Sequence, residues 1–284
     1  MQASITPSRT PMEPRLQRRV QRYGWDLAAN DYESLWQAQL APAQAELLAQ
    51  AALAPGERVL DVACGTGLVT LPAARAVGPD GHVLGVDIAE RMVQATQRGA
   101  STQQMHQVSA ARMDAEQLNL PDADFDVALC AFGLMYLPEP EQALRELRRV
   151  LRPGGRLGLA VWGERARCGW SALFSIVDAE VASEVCPLFF RLGQGDALAW
   201  LCEQAGFTQV RTLRMGINLH YANGDQACRA AFVGGPVALA WSRMDAAARE
   251  RVCAAYLQAI EPWRDGDTYA VPAEFLISTA TSPS

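Results

Sequence analysis

Along the chain the apolar positions change their period several times, and each change marks an element. Residues 16–53 carry them at helical spacing, with Tyr23, Trp25, Tyr32 and Trp36 set among alanines and leucines. From residue 59 short apolar runs alternate with helical stretches: strand 59–62, helix 68–75, strand 82–88, helix 89–102, strand 105–111, a strand from 125 and helix 141–151. The turn at Pro153, Gly154 and Gly155 leads into another buried strand ending near 161. Two helical patterns follow between 168 and 206, the second closed by Gly206 as a C-cap. Residues 210–221 then alternate, with Leu213, Met215, Ile217, Leu219 and Tyr221 on one face and Thr212, Arg214, Asn218 and His220 on the other. Helices over 225–241 and 245–260 and a closing strand over 274–281 complete the pattern.

Strands that alternate with helices predict an α/β fold with a mostly parallel sheet, whose ligands bind beyond the carboxyl ends of the strands. Residues 1–14, with Pro7, Pro11 and Pro14 among Ser and Thr, are expected to form a disordered tail. Residues 15–55 are expected to be an N-terminal helical lid and 56–284 the main domain, with a helical insert at about 223–262 over the ligand end of the sheet.

Half of the residues are hydrophobic, enough for one sizeable core. The net charge of -6 argues against a nonspecific polyanion binder, so no nucleic-acid partner is expected. All 25 basic residues are arginine, which excludes a P-loop lysine, a Schiff-base lysine and a lysine general base. The cysteines at 64, 130, 168, 186, 202, 228 and 253 are never closer than 16 residues, so no paired-cysteine metal or redox motif exists and no metal is expected. Reduced thiols and a cytoplasmic location fit that spacing. No apolar run is long enough to span a bilayer, no signal-peptide core follows Met1, and the basic stretch 15–22 reads as a solvated helix start. The oligomeric state is left open, a homodimer included.

The chemistry concentrates after the first strand. Asp61 closes that strand, and Gly65 and Gly67 break it into a helix whose free N–H groups point at the same spot. A nucleotide-like cofactor fits such a turn. A dinucleotide fingerprint would ask for a third glycine where Thr70 stands. Asp87, at the end of the second strand, can accept from both hydroxyls of a ribose, a device shared with nicotinamide sites, and Ile88 and Met92 would then pack beside the adenine.

The spacing of Asp61, Gly65 and Gly67 resembles the first motif of class I S-adenosylmethionine-dependent methyltransferases. Together with Asp87, the pair Asp114 and Ala115, and the block 125–161, the likeness covers roughly residues 25–162 and is strongest to the ubiquinone/menaquinone-biosynthesis type. It implies a Rossmann-like three-layer sandwich, with a mostly parallel seven-stranded sheet and an antiparallel last strand. It also implies S-adenosyl-L-methionine as cofactor, and in-line methyl transfer to a small apolar or aromatic acceptor.

The cofactor residues it implies are Asp61, Ala63, Gly65, Thr66 and Gly67 in the loop, Asp87, Ile88 and Met92 after the second strand, and Asp114 and Ala115 against the adenine. Cys130 and Phe132 join them from the fourth strand, and Tyr23 and Tyr32 from the lid, where an aromatic face suits a sulfonium cation. An alcohol or phenol acceptor would call for a base. His220 and Tyr32 are the candidates, a solvated edge-strand histidine being the other reading of His220. A nicotinamide-dependent oxidoreductase and a noncatalytic S-adenosylmethionine-binding partner protein are the alternatives.

Overall fold

The computed structural model describes residues 13–181 and 189–284, so almost all of the expected tail lies outside the described residues. Strands β1 (Arg58–Val62), β2 (His82–Asp87), β3 (Val108–Arg112), β4 (Phe125–Ala131) and β5 (Leu151–Trp162) are parallel to one another. They are followed by β6 (Thr208–Tyr221), the two-residue β7 (Arg264–Asp265) and β8 (Thr268–Thr281). β8 runs antiparallel to both β5 and β6, giving the order β3-β2-β1-β4-β5-β8-β6. The seven expected strands are therefore present, with β7 added as a short hairpin onto β8.

Successive side chains of these strands go to opposite faces, and the core divides accordingly. Leu60, Ala128 and Cys130 belong to one apolar cluster, and their chain neighbours Val59, Val127 and Leu129 to another. Helices pack on both clusters, which is the expected three-layer sandwich. They are α1 (Pro14–Ala28), α2 (Tyr32–Ala51), α3 (Thr70–Val77), α4 (Glu90–Thr102), α5 (Pro140–Val150), α6 (Ala172–Glu180), α7 (Ala197–Gln204), α8 (Gly224–Phe232), α9 (Ala238–Arg243) and α10 (Ala246–Ile260). α5 buries Ala143, Leu144, Leu147 and Val150 at helical spacing, each leucine contributing about 1.5–3 kcal/mol.

Two boundaries differ from the sequence pattern. The helix expected over 225–241 is broken at 233–237, where Gly234, Gly235 and Pro236 cannot sustain it. β8 begins at Thr268, upstream of the expected 274, and runs through Pro272. That proline lies beyond Phe275, the last residue of β8 paired with β5, so β8 is free on that side and needs no donor there.

The chain leaves β1 toward β2 and β3 and returns on the other side of β1 to β4 and β5. Such a reversal opens a crevice at the carboxyl ends of β1, β2 and β4.

Candidate active site

The ends of β1 and β2 and the helix α4 are stitched together at this crevice. The Asp87 carboxylate accepts the Gly65 N–H through Oδ2 at 2.9 Å and the Ala89 N–H through Oδ1 at 2.9 Å. Thr96 on α4 donates to the Gly65 carbonyl at 2.9 Å. Gly65 sits at φ +56°, and a Cβ there would point into the cleft, 3.8 Å from the Tyr32 ring. Gly67 is needed for a different reason. At φ +92° it packs under the loop, where a Cβ would press on Leu71 and Thr96 at 3.2–3.3 Å.

On the opposite wall, Ala63 (φ +56°) and Phe132 (φ +61°) both hold left-handed backbone, a conformation that non-glycine residues keep only when the surroundings over-determine it. Gly133 makes this fit, since a Cβ on it would fall 2.3 Å from the Ala63 Cβ.

The cleft is partly open to solvent and is walled by both apolar and polar side chains. Of the residues expected from sequence, it gathers Tyr32, Ala63, Gly65, Asp87, Ile88, Met92, Asp114, Ala115 and Phe132. Three others support the loop from beneath. Asp61 is buried at the end of β1, with Oδ2 accepting from the Thr70 hydroxyl at 2.6 Å. Thr66 is buried as well, and both Asp61 Oδ1 and the Thr66 hydroxyl have no partner among the described residues. Gly67, as above, is packing.

Three expectations are corrected. Cys130 is sealed in the core and does not line the cleft, and burial pushes its thiol up to about 12, so it stays neutral. Tyr23 is not in the cleft lining itself; it is 41% exposed and lines an open hollow beside the cleft that shares Ile88, Met113 and Asp114 with it. His220 is exposed on β6 and absent from the cleft lining, with its backbone N–H and carbonyl both taken by the Gln39 side-chain amide. Tyr32 does line the cleft, but burial and the Asp87 charge raise its phenol far above neutral pH. The shift works against a proton-accepting phenolate at this position.

The sequence reading missed the inner face of α1. Arg18, Gln21 and Trp25 line the cleft at i, i+3 and i+7, one helical stripe. Arg18 pairs with Asp114 at 3.2 Å and with the buried Glu116, so this arginine is a latch between α1 and the Asp114 turn, not part of a solvated helix start. Gln17 donates to the Tyr136 carbonyl at 3.3 Å and Asp26 accepts the Arg91 N–H at 2.9 Å, which fastens the rest of the helix.

A second, tighter chamber adjoins the cleft and shares Trp25, Tyr32, Phe132 and Tyr136 with it. Its far wall is aromatic, with Trp162 between Trp36 and Trp170 at centroid distances of 6.0 and 4.6 Å, and Phe189 beyond. The buried Trp36 indole N–H has no partner among the described residues. It lies near Gly235, another wall residue, whose absent Cβ would stand 3.9 Å from it. Among the described residues no cluster of His, Cys, Asp and Glu could hold a metal ion.

Comparison with known proteins agrees with this geometry. Residues 59–155 match the methyltransferase domain family. The demethylmenaquinone methyltransferase of Listeria monocytogenes is 37% identical over 120 residues, which are 42% of this chain and 51% of that protein. The chain thus spans about half the length of the curated relatives it matches. In fold it is similar to a Bacillus halodurans protein described as a putative methyltransferase, with a TM-score of 0.61 and 21% identity over 86% of this chain and 100% of the other. It is also similar to a Haemonchus contortus phosphoethanolamine N-methyltransferase, solved with phosphomonomethylethanolamine and S-adenosylhomocysteine, with a TM-score of 0.60 and 15% identity over 91% of this chain and 58% of the other. These matches side with the methyltransferase reading over the nicotinamide one. Residues 59–155, which match the methyltransferase domain family, hold the glycine loop, Asp61, Asp87 and the Asp114–Ala115 turn, and the chain shares its fold with solved methyltransferases.

Proposed function

We propose that the chain transfers a methyl group from S-adenosylmethionine to a flat, apolar acceptor ring that carries oxygen, of the quinol type. The observation that carries this reading is the sharing of Trp25, Tyr32, Phe132 and Tyr136 between the cleft and the aromatic chamber. Two ligands seated in the two cavities would meet across those four side chains. The name of the Listeria relative supports the acceptor class.

The residues present fit the cofactor. Asp87 lines the cleft with both oxygens held by backbone amides, and each oxygen keeps a lone pair for a ribose hydroxyl. Asp114 and Ala115 supply the polar edge for a purine, with Ile88 and Met92 as its apolar walls. When bound, the cofactor supplies a methyl group already electrophilic on its sulfonium. The protein has to align the acceptor, exclude water and stabilise a dispersing positive charge, for which the rings of Trp25, Tyr32 and Tyr136 are suited. No histidine or cysteine lines either cavity among the described residues. An acceptor that arrives as a phenolate or activated carbon needs no base, and the Trp36 N–H is available to a ring oxygen.

Calorimetric titration with S-adenosylmethionine and S-adenosylhomocysteine tests the cofactor half, with micromolar binding of both expected. Mass-spectrometric product analysis with a demethylated naphthoquinol, a phenol, a thiol and an amine tests the other half. Methylation of the amine or thiol alone would sink the acceptor assignment.

A further inference from the structure

Helix α1 is built inside out. It buries Gln17, Gln21, Gly24 and Ala28, while Leu16, Tyr23 and Leu27 are 47, 41 and 44% exposed and Val20 is half covered. Positions 16, 20, 23 and 27 recur at intervals of four, three and four, so they form one stripe roughly 16 Å long on the outer side of the helix. Of the five large apolar side chains exposed among the described residues, three belong to this stripe, and the other two, Trp200 and Leu213, lie on α7 and β6. Scattered apolar residues need no explanation, but an aligned row does.

The same face is basic. Arg15, Arg19 and Arg22 flank the stripe, and Arg19, Arg22 and Tyr23 line an open hollow with Arg18, Arg112 and the cleft residues Ile88, Met113 and Asp114. The Arg19 and Arg22 guanidiniums stand 5.8 and 4.8 Å over the Tyr23 ring. Of the acids close by, Asp114 pairs with Arg18, while Glu13 at the helix start and Asp26, which accepts only the neutral Arg91 N–H, stand against the three arginines. In a chain of net charge -6 this is a local reversal of sign.

We infer that the outer face of α1 docks on a membrane surface that carries anionic lipid. An apolar row flanked by arginines is the chemistry of an interfacial helix, whose leucines enter the acyl boundary while guanidiniums meet lipid phosphates. Tyr23, apolar in its ring and polar at its tip, suits the headgroup level. Charge complementarity selects this partner: a second copy of the face would set arginine against arginine, whereas a phosphate-rich surface satisfies all of them. Among the described residues no helix is long and apolar enough to cross a membrane, so the attachment is peripheral. The opposite side of the helix, through Arg18, Gln21 and Trp25, walls the cleft. Docking therefore brings the cleft to the boundary where apolar acceptors partition. The inference stands apart from methyl transfer and is tested without cofactor.

The full chain is sedimented with vesicles of phosphatidylcholine alone and of phosphatidylcholine mixed with phosphatidylglycerol, at low and high salt. Binding to the mixed vesicles only, weakened by salt, is expected. Arg19→Gln with Arg22→Gln should lower partitioning about fivefold per charge, roughly twenty-five-fold together. Leu16→Gln with Leu27→Gln should lower it by at least about tenfold with every charge kept, and circular dichroism melts of this variant should match the parent because both positions are exposed. Absence of vesicle binding by the parent, or binding that the leucine variant leaves intact, overturns the inference. So does a dimer that the leucine variant dissociates while vesicles are ignored, which would assign the face to a second copy.

Discussion

The Asp87 carboxylate and the Gly65 N–H lie 2.9 Å apart, so the end of β2 and the glycine loop after β1 move as one hydrogen-bonded unit. Replacing Asp87 with Ala removes the acceptors proposed for the ribose and frees that loop. S-adenosylmethionine affinity should fall by about 1–3 kcal/mol in a calorimetric titration. Unchanged affinity would place the ribose elsewhere.

Burial raises Asp87 to about 6 and, also by burial first, Asp61 to about 7. Hydroxyl donors bind an ionised carboxylate better than a protonated one, so cofactor affinity should climb as pH rises through about 6 to 7 and then level off. Below that range the loss should approach about tenfold per pH unit for a group that must be ionised. Stability of the unliganded protein runs the other way. A raised carboxyl holds a proton in the folded state that the unfolded chain has lost, so its stabilising effect is full below the unfolded value of 3.8 and is lost as pH rises through the folded values. Melting curves across pH with and without S-adenosylhomocysteine should diverge above about pH 6. Parallel curves would remove the two carboxylates from the site.

Much of this site was legible in the sequence because it is made of strand ends. A carboxylate or glycine at the end of a buried run has one place to go, and Gly65, Asp87, Ile88, Asp114 and Ala115 all reach the cleft. Helix α1 was harder, since neighbouring positions point to different sides of a helix. Tyr23 and Trp25, two residues apart, cannot share a face, and the buried Gln17 and Gln21 conceal which face turns inward. The signal that could have decided it was the Arg18, Gln21, Trp25 spacing opposite the Leu16, Tyr23, Leu27 row. His220 fails for another reason: β6 is long, and the alternation along it shows which way a side chain turns but not how far the strand lies from the cleft.

The Arg18 latch should be visible as a coupling energy. Glu116 is buried, and burial raises its carboxyl despite Arg18 and the Glu139 N–H. Arg18→Gln strands that carboxylate and is expected to destabilise by about 1–3 kcal/mol, less than a fully buried pair because Arg18 is partly exposed. Adding Glu116→Gln should recover most of the loss. Additive losses in the double-variant cycle, read from denaturant midpoints, would show that the two side chains are not coupled.

Tyr32→Phe separates shape from proton transfer. Because the phenol is held neutral, its removal should change the turnover rate by less than about tenfold, whereas Tyr32→Ala should cost at least about a hundredfold by opening the wall between cleft and chamber. His220→Asn should leave turnover as it was. A collapse of turnover in Tyr32→Phe at unchanged KM, restored at high pH, would reinstate Tyr32 as a base.

Gly133 tests the contact that joins the two strand ends across the crevice. Its absent Cβ would fall 2.3 Å from the Ala63 Cβ and 3.0 Å from the Cys130 sulfur; Cys130 is held in β4 by pairing with β5, and Ala63 directly follows the last paired residue of β1. Gly133→Ala should therefore force Ala63 and Phe132 out of their left-handed conformations. The expected loss of stability is about 1–3 kcal/mol, with a larger proportional loss of cofactor binding because both residues line the cleft. Gly216 in β6 is the matched control. It has open space around a Cβ and an ordinary backbone angle, so Gly216→Ala should be neutral or stabilise by up to about 1 kcal/mol. Equal melting temperatures for the two variants would mean that the Ala63–Gly133 approach is not rigid, and the two walls of the cleft could then move independently.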